Sequence, residues 1–224
     1  MLFSKNKTSK VAYTLWSGSE AQALFKQPQI INNPNAGCPA MSSMKNRLVA
    51  LYPPISAEFE IYYEDGKPYY KYEIDTSIHT QKNEIHKFIT DNVLLEAPKD
   101  NLLDLQLFLN YAFITDDKEL EMITVAPYEM ETHKAEYVFG TFNPYSWVRP
   151  VNSVWYVQDG TKLVFNRELP ATYVLFNKPI ELSFKENTGE LSRFISETKN
   201  ITAYVKKTSN LFSHVLSRRP KKLL

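Results

Sequence analysis

Glu58-Phe59-Glu60-Ile61-Tyr62-Tyr63-Glu64-Asp65-Gly66-Lys67-Pro68-Tyr69-Tyr70-Lys71-Tyr72-Glu73-Ile74 is the stretch that decides how this chain is read. Phe59 and Ile61 alternate with Glu58 and Glu60, and Tyr70, Tyr72 and Ile74 alternate with Lys71 and Glu73. Successive side chains on a pleated strand point to opposite faces, so a two-residue period marks half-buried strands. Between the two runs stands Asp65-Gly66. A type I′ turn needs positive φ at both central residues, and Asp-Gly accepts that conformation readily. The stretch reads as a β-hairpin, with Glu58 and Glu60 on its solvated face rather than as an acid–base pair.

The same signature recurs downstream. Val151 to Val157, Gln158-Asp159-Gly160-Thr161 and Leu163-Val164-Phe165 read as a second hairpin. Leu102 to Thr115 admits two readings. Pro98 and Asp100 suit a helix start, whereas Leu105, Leu107, Leu109, Tyr111 and Phe113 keep strict alternation. The alternation favours a strand, turned by Asp116-Asp117 into Glu119 to Val125 as a third hairpin. Further strands are expected at Val11–Trp16, Ala135–Phe142, Ala171–Phe176 and Ile180–Phe184.

Helical signals are few. They fall on Ser19–Lys26, Met41–Arg47 and His79–Asn92, the last with Ile78, Ile85 and Ile89 on one side. Leu191, Phe194, Thr198, Ile201, Val205, Thr208, Phe212 and Val215 recur at three- and four-residue steps. They predict an amphipathic C-terminal helix over 190–217, lying on the domain's own sheet or forming a seam between subunits. Pro220 stops it, and 218–224 is a basic tail. One domain over 1–224 is expected, mainly β, as a β-sandwich or open barrel of antiparallel hairpins with a few helices.

Composition agrees with strands: 14 Tyr, 13 Phe and 3 Trp in 224 residues suit half-buried pleated surfaces. Cys38 is the only cysteine, so no intrachain disulfide forms. Met1 to Lys7 is basic but lacks the apolar run of a signal peptide, and no apolar run is long enough for a spanning helix. These features lead us to expect a cytoplasmic or particle-borne protein with no membrane partner. The net charge of +1 hides segregation: residues 1–10 carry +3 and residues 190–224 carry +6, leaving about −8 on the body.

Catalytic signatures are missing. The histidines His79, His86, His133 and His214 lack ligand spacing, so we expect no metal. Cys38 has no recognisable base, and no glycine-rich phosphate loop or Gly-x-Ser-x-Gly elbow occurs. We expect no cofactor. The densest polar–aromatic stretch is Gly140-Thr141-Phe142-Asn143-Pro144-Tyr145-Ser146-Trp147-Val148-Arg149-Pro150-Val151-Asn152. Arg149 offers a donor fork and Trp147 a stacking face, so Asn143, Tyr145, Trp147, Arg149 and Trp155 are candidate pocket residues. The competing reading is a packed structural corner.

At this loop the chain resembles an uncharacterised family of proteins encoded by tailed, often marine, bacteriophages. The resemblance rests on Cys38-Pro39-Ala40, on Gly140-Thr141-Phe142-Asn143 through Trp147-Val148-Arg149-Pro150, on Leu169 to Asn177, and on Arg219-Pro220-Lys221. Glu168-Leu169-Pro170-Ala171 departs from the family's Gly-Asp-Pro-Leu pattern, so no role attached to that aspartate carries over. The resemblance implies a phage source, with host cytoplasm or virion as location, and names no activity.

Three functions follow as expectations. The first is a non-enzymatic structural or accessory protein that binds another protein or itself. The second is a barrel-type enzyme or small-ligand binder with its pocket near Trp147 and Arg149. The third is nucleic-acid binding through the basic tail Arg218, Arg219, Lys221 and Lys222, opposed by the acidic body.

Overall fold

The computed structural model describes residues 8–16, 25–32, 42–75, 82–99, 102–130, 134–146, 148–202 and 224. Along them run β1 (Ser9–Leu15), β2 (Gln29–Ile30), β3 (Leu48–Leu51), β4 (Ala57–Glu64), β5 (Lys67–Ile74), helix α1 (Lys82–Asn92), β6 (Val93–Lys99) and β7 (Leu102–Ile114). There follow β8 (Met122–Val125), β9 (Ala135–Tyr137), β10 (Thr141–Phe142), β11 (Pro150–Val157), β12 (Lys162–Phe165), β13 (Thr172–Phe176), β14 (Ile180–Phe184) and helix α2 (Gly189–Thr202). The protein is mainly β. One sheet has the order β14-β1-β7-β11-β9 with β6 also on β7, a second β10-β8-β13-β3-β2, and a third β12-β4-β5.

The first hairpin forms as its sequence requires. Asp65 and Gly66 hold φ 51° and 75°, and β4 pairs with β5 from Ala57↔Ile74 to Glu64↔Lys67. The other two expected hairpins are corrected. Their strands exist, but β11 lies in the first sheet and β12 in the third, while β7 lies in the first and β8 in the second. At the Asp159-Gly160 corner only Gly160 is left-handed (φ 72°), so the turn is not type I′. Gly160 N donates to Ile61 O and Ile61 N to Thr161 O, both at 2.9 Å, so β4 captures the corner and draws the chain into another sheet.

Between β7 and β8 the crossing is fixed by Asp117. Its Oδ2 accepts hydrogen bonds from Ser9 Oγ (2.5 Å) and Lys178 Nζ (2.8 Å), and its Oδ1 accepts from Glu119 N (3.0 Å). Burial alone would raise this carboxyl. The Lys178, Ser9 and Glu119 hydrogen bonds and the Lys178 charge together outweigh it, and bring the pKa from 3.8 down to about 2. A depressed carboxylate stabilises the fold above its unfolded pKa and loses that contribution as pH falls through the folded value. Wild type is therefore expected to lose about 0.5 kcal/mol here between pH 4 and pH 2 after solvent screening. In Asp117→Asn that part of the acid dependence should vanish, read from urea midpoints across the range.

Strand β7 is the spine. Leu103, Leu105, Leu107, Leu109, Tyr111 and Phe113 are all buried on one side, which settles the helix-or-strand ambiguity in favour of the two-residue period. Asn110 holds φ 60°, a conformation asparagine tolerates. On one edge β6 pairs with the residues before it, and β1 with those after it. The buried side of β7 shares one core with residues of β1, β3, β4, β8, β11, β12 and β13, joined by Ile85, Phe88 and Ile89 of α1.

Helix α2 places Leu191, Phe194 and Ile195 against Ala112, Ile114 and Val148, on the opposite face of the first sheet. The described helix thus lies on the domain's own sheet, and the rest of the expected 190–217 helix lies outside the described residues. Met41–Arg47 does not form the expected helix over its described part. Ser42 alone is helical there, and residues 43–47 make turns that include left-handed Asn46 (φ 58°), with Arg47 N and Leu48 N both donating to Met44 O. Ser19–Leu24, His79 and Ile78 lie outside the described residues. No helix among the described residues is long and apolar enough to cross a membrane.

Candidate functional site

Leaving β9, the chain crosses from the first sheet to the second, where β10 pairs with β8 (Thr141↔Ile123, Phe142↔Met122), and returns at Pro150. This excursion roofs a cavity of about 290 Å³. Its floor is the outer face of the first sheet, with Gln106 and Phe108 of β7 and Asn152 and Val154 of β11. Phe139, Gly140, Phe142 and Arg149 close it from the loop.

Local chemistry explains the loop's course. Gly140 N donates to Thr124 Oγ1 and Thr124 N to Gly140 O, both at 3.0 Å, pinning the loop to β8. A Cβ at Gly140 would lie 2.7 Å from the Phe142 ring, so glycine is what lets that ring fold back over the backbone. Asn143 Oδ1 accepts from Tyr145 N (2.9 Å) and Ser146 N (3.2 Å), an Asx turn. Its Nδ2 donates to Lys118 O (2.8 Å). Tyr145 is half-buried, with Lys118 Nζ 5.7 Å from its ring centre. Asn143 and Tyr145 therefore shape the loop and do not line the cavity.

Arg149 does line it, half-buried, and burial pulls its pKa below the ordinary arginine value. A guanidinium stays charged even so, and a desolvated charge beside aromatic walls favours an anionic or strongly accepting group. Trp147 lies outside the described residues, as do Cys38, His133 and the tail residues Arg218, Arg219, Lys221 and Lys222. Leu224 N, after that tail, donates to Asp116 Oδ2 (3.2 Å).

Trp155 requires a correction. It points into the core, 2% exposed, with its Nε1 donating to Ser153 Oγ (2.9 Å) and its ring edge-on to Tyr137 at 5.0 Å. It belongs to packing and not to the pocket. Conversely, Gln106, Phe108 and Val154, which alternation alone marks as an ordinary sheet face, form the cavity floor.

The polar floor has a direction. Gln106 Nε2 donates to Asp104 Oδ2 (3.1 Å), and Asn152 Nδ2 donates to Gln106 Oε1 at the long distance of 3.4 Å. Asn152 Oδ1 is buried without a hydrogen-bond partner. Burial, with Glu96 adding like charge, raises the Asp104 carboxyl, against the Gln106 hydrogen bond. Elsewhere His86 Nδ1 shares a 2.7 Å hydrogen bond with Tyr72 Oη, and no group of three or more His, Cys, Asp or Glu residues gathers for a metal among the described residues. The Arg149 cavity brings together a half-buried guanidinium, a buried amide oxygen without a hydrogen-bond partner and apolar walls. No protein-family model, no curated protein and no solved structure matches this chain.

Proposed function

We propose that the chain is a phage-encoded, non-enzymatic protein, structural or accessory, that holds another protein at the Arg149 cavity. The carrying observation is Phe139, which is 71% exposed on the rim of that cavity. A large exposed aromatic beside a half-buried arginine has the makeup of an interface anchor. A cavity of about 290 Å³ suits one bulky side chain and is small for an organic cofactor. In this reading the two larger sheets are the faces of a sandwich and the third sheet closes one side.

Photo-crosslinking tests it. With benzoylphenylalanine in place of Phe139, one discrete crosslinked protein is expected in cells that naturally express the chain. Phe139→Glu and Arg149→Ala should each weaken capture of that partner, once isolated, by about ten-fold or more, with unfolding midpoints unchanged for Phe139→Glu. Absence of any protein adduct would remove the reading. Mass spectrometry of purified particles separates a virion component from an accessory factor.

Asn152 Oδ1 favours a second reading, a small-ligand site, because an unpaired buried acceptor suits a ligand N–H or O–H. A thermal-shift screen that raises the unfolding temperature of wild type but not of Arg149→Ala supports it.

A further inference from the structure

Beyond β8, Tyr128 stacks on Tyr173 of β13, with ring centres 5.2 Å apart and planes 5° from parallel. The next residue, Glu129, lines a second cavity of about 390 Å³, whose walls include Pro53, Met130, Phe165, Leu169 and Pro170. This cavity shares no lining residue with the one at Arg149. Glu129 Oε1 accepts a 2.5 Å hydrogen bond from Tyr173 Oη. Glu129 Oε2 is shielded from solvent and meets no donor.

The two oxygens therefore stand in different conditions. Burial first, then the hydrogen bonds with Glu129 and Tyr128, push the Tyr173 phenol far above its ordinary range. It remains a donor, and Oε1 stays occupied. Oε2 carries the unmet demand, and a buried acceptor without a donor costs a folded chain free energy. The chain's own Lys26, which neighbours Tyr52 as Glu129 does, is committed to Glu168 at 2.7 Å and to the face of Tyr52 at 4.6 Å.

We propose that this second cavity binds a primary ammonium group on an aliphatic stem, with Glu129 as its counter-ion. One unmet oxygen cannot satisfy the two-pronged fork of a guanidinium, but it suits the compact point charge of an ammonium. Proline, methionine and leucine walls suit methylenes, as they do along the stem of a lysine. The same chemistry is offered by a partner's lysine side chain and by a free alkylamine.

The test is a titration of the full chain carrying ¹³C-methyl methionine, with the Met130 methyl as reporter. The probes are n-butylammonium and n-butanol, which share a stem and differ in charge. A saturable shift is expected with butylammonium, about ten-fold tighter than with butanol and weakened by added salt. Glu129→Gln keeps an acceptor for Tyr173 and removes the charge, so it should lower butylammonium affinity at least to the butanol level. It should also leave the unfolding midpoint equal or higher, so that the lost affinity is not a lost fold. Leu169→Trp, at the partly exposed wall, should block the probe without touching Glu129. Equal response to both probes, no saturable shift, or unchanged affinity in Glu129→Gln each overturns the proposal. Nα-acetyl-lysine methylamide binding as tightly as butylammonium assigns the source to a partner's lysine. Its exclusion, with butylammonium retained, assigns it to a free amine.

Discussion

Phe59→Ala is expected to destabilise the fold by about 4 kcal/mol, the range for emptying a fully buried aromatic site. Phe59 is 0% exposed on β4, the central strand of the third sheet. It is flanked in register by Tyr72 and Leu163. Its ring meets Tyr70 at 5.7 Å, Phe165 at 5.8 Å and Tyr72 at 6.1 Å. Removing it strips partners from all three rings, and strands held by main-chain pairing on both sides collapse little into the space. A small domain is stable by only about 5–15 kcal/mol, so this loss takes a large share of the total. Val164→Ala is the matched control, because Val164 alternates to the outer face and is 55% exposed. Its cost should stay within about 0.5 kcal/mol. Urea unfolding of both variants decides the matter: comparable losses would mean that β4 does not sit over the core.

Strand identity is legible because it is written in neighbouring residues, whereas strand partnership is written in distant ones. The dipeptides Asp65-Gly66 and Asp159-Gly160 are the same letters between alternating runs. The first closes a hairpin. The second loses its side chain to a long-range contact, Asp159 Oδ1 accepting from Tyr63 N at 2.8 Å, and its strands part into different sheets. Nothing within four residues of Gly160 encodes that. Strand β3 escapes for another reason: Leu48 to Leu51 are all buried, so no alternation marks them. At the site, residue parity separates core from cavity. Trp155 shares its parity with Ser153 and Val157, both fully buried and away from the cavity, while Asn152 and Val154 take the face that floors it. Arg149 stands out in the sequence because an arginine among aromatics is uncommon packing. Glu129 does not, because its isolation depends on Tyr173, far along the chain.

Ser153→Ala is expected to cost about 2–3 kcal/mol, well beyond the loss of one oxygen atom's contacts. Ser153 is fully buried on β11 of the first sheet. Its Oγ donates to Ala171 O (2.8 Å), just before β13 of the second sheet, and accepts from Trp155 Nε1 (2.9 Å). One hydroxyl thus ties two layers and satisfies an indole N–H held in the core. The two losses are unequal. Ala171 O keeps a second donor, Thr172 Oγ1 at 2.7 Å, whereas the indole N–H is spent on Ser153 Oγ. Most of the penalty should therefore come from the stranded indole. A double-mutant cycle isolates it. In a Trp155→Phe background the indole donor is gone, and Ser153→Ala should then cost only about 1 kcal/mol. A coupling near 1–2 kcal/mol, read from urea unfolding of the four proteins, identifies the indole–hydroxyl bond as the larger share of the loss. Additive losses would instead place the cost in the Ala171 contact, and with it in the joint between the two sheets.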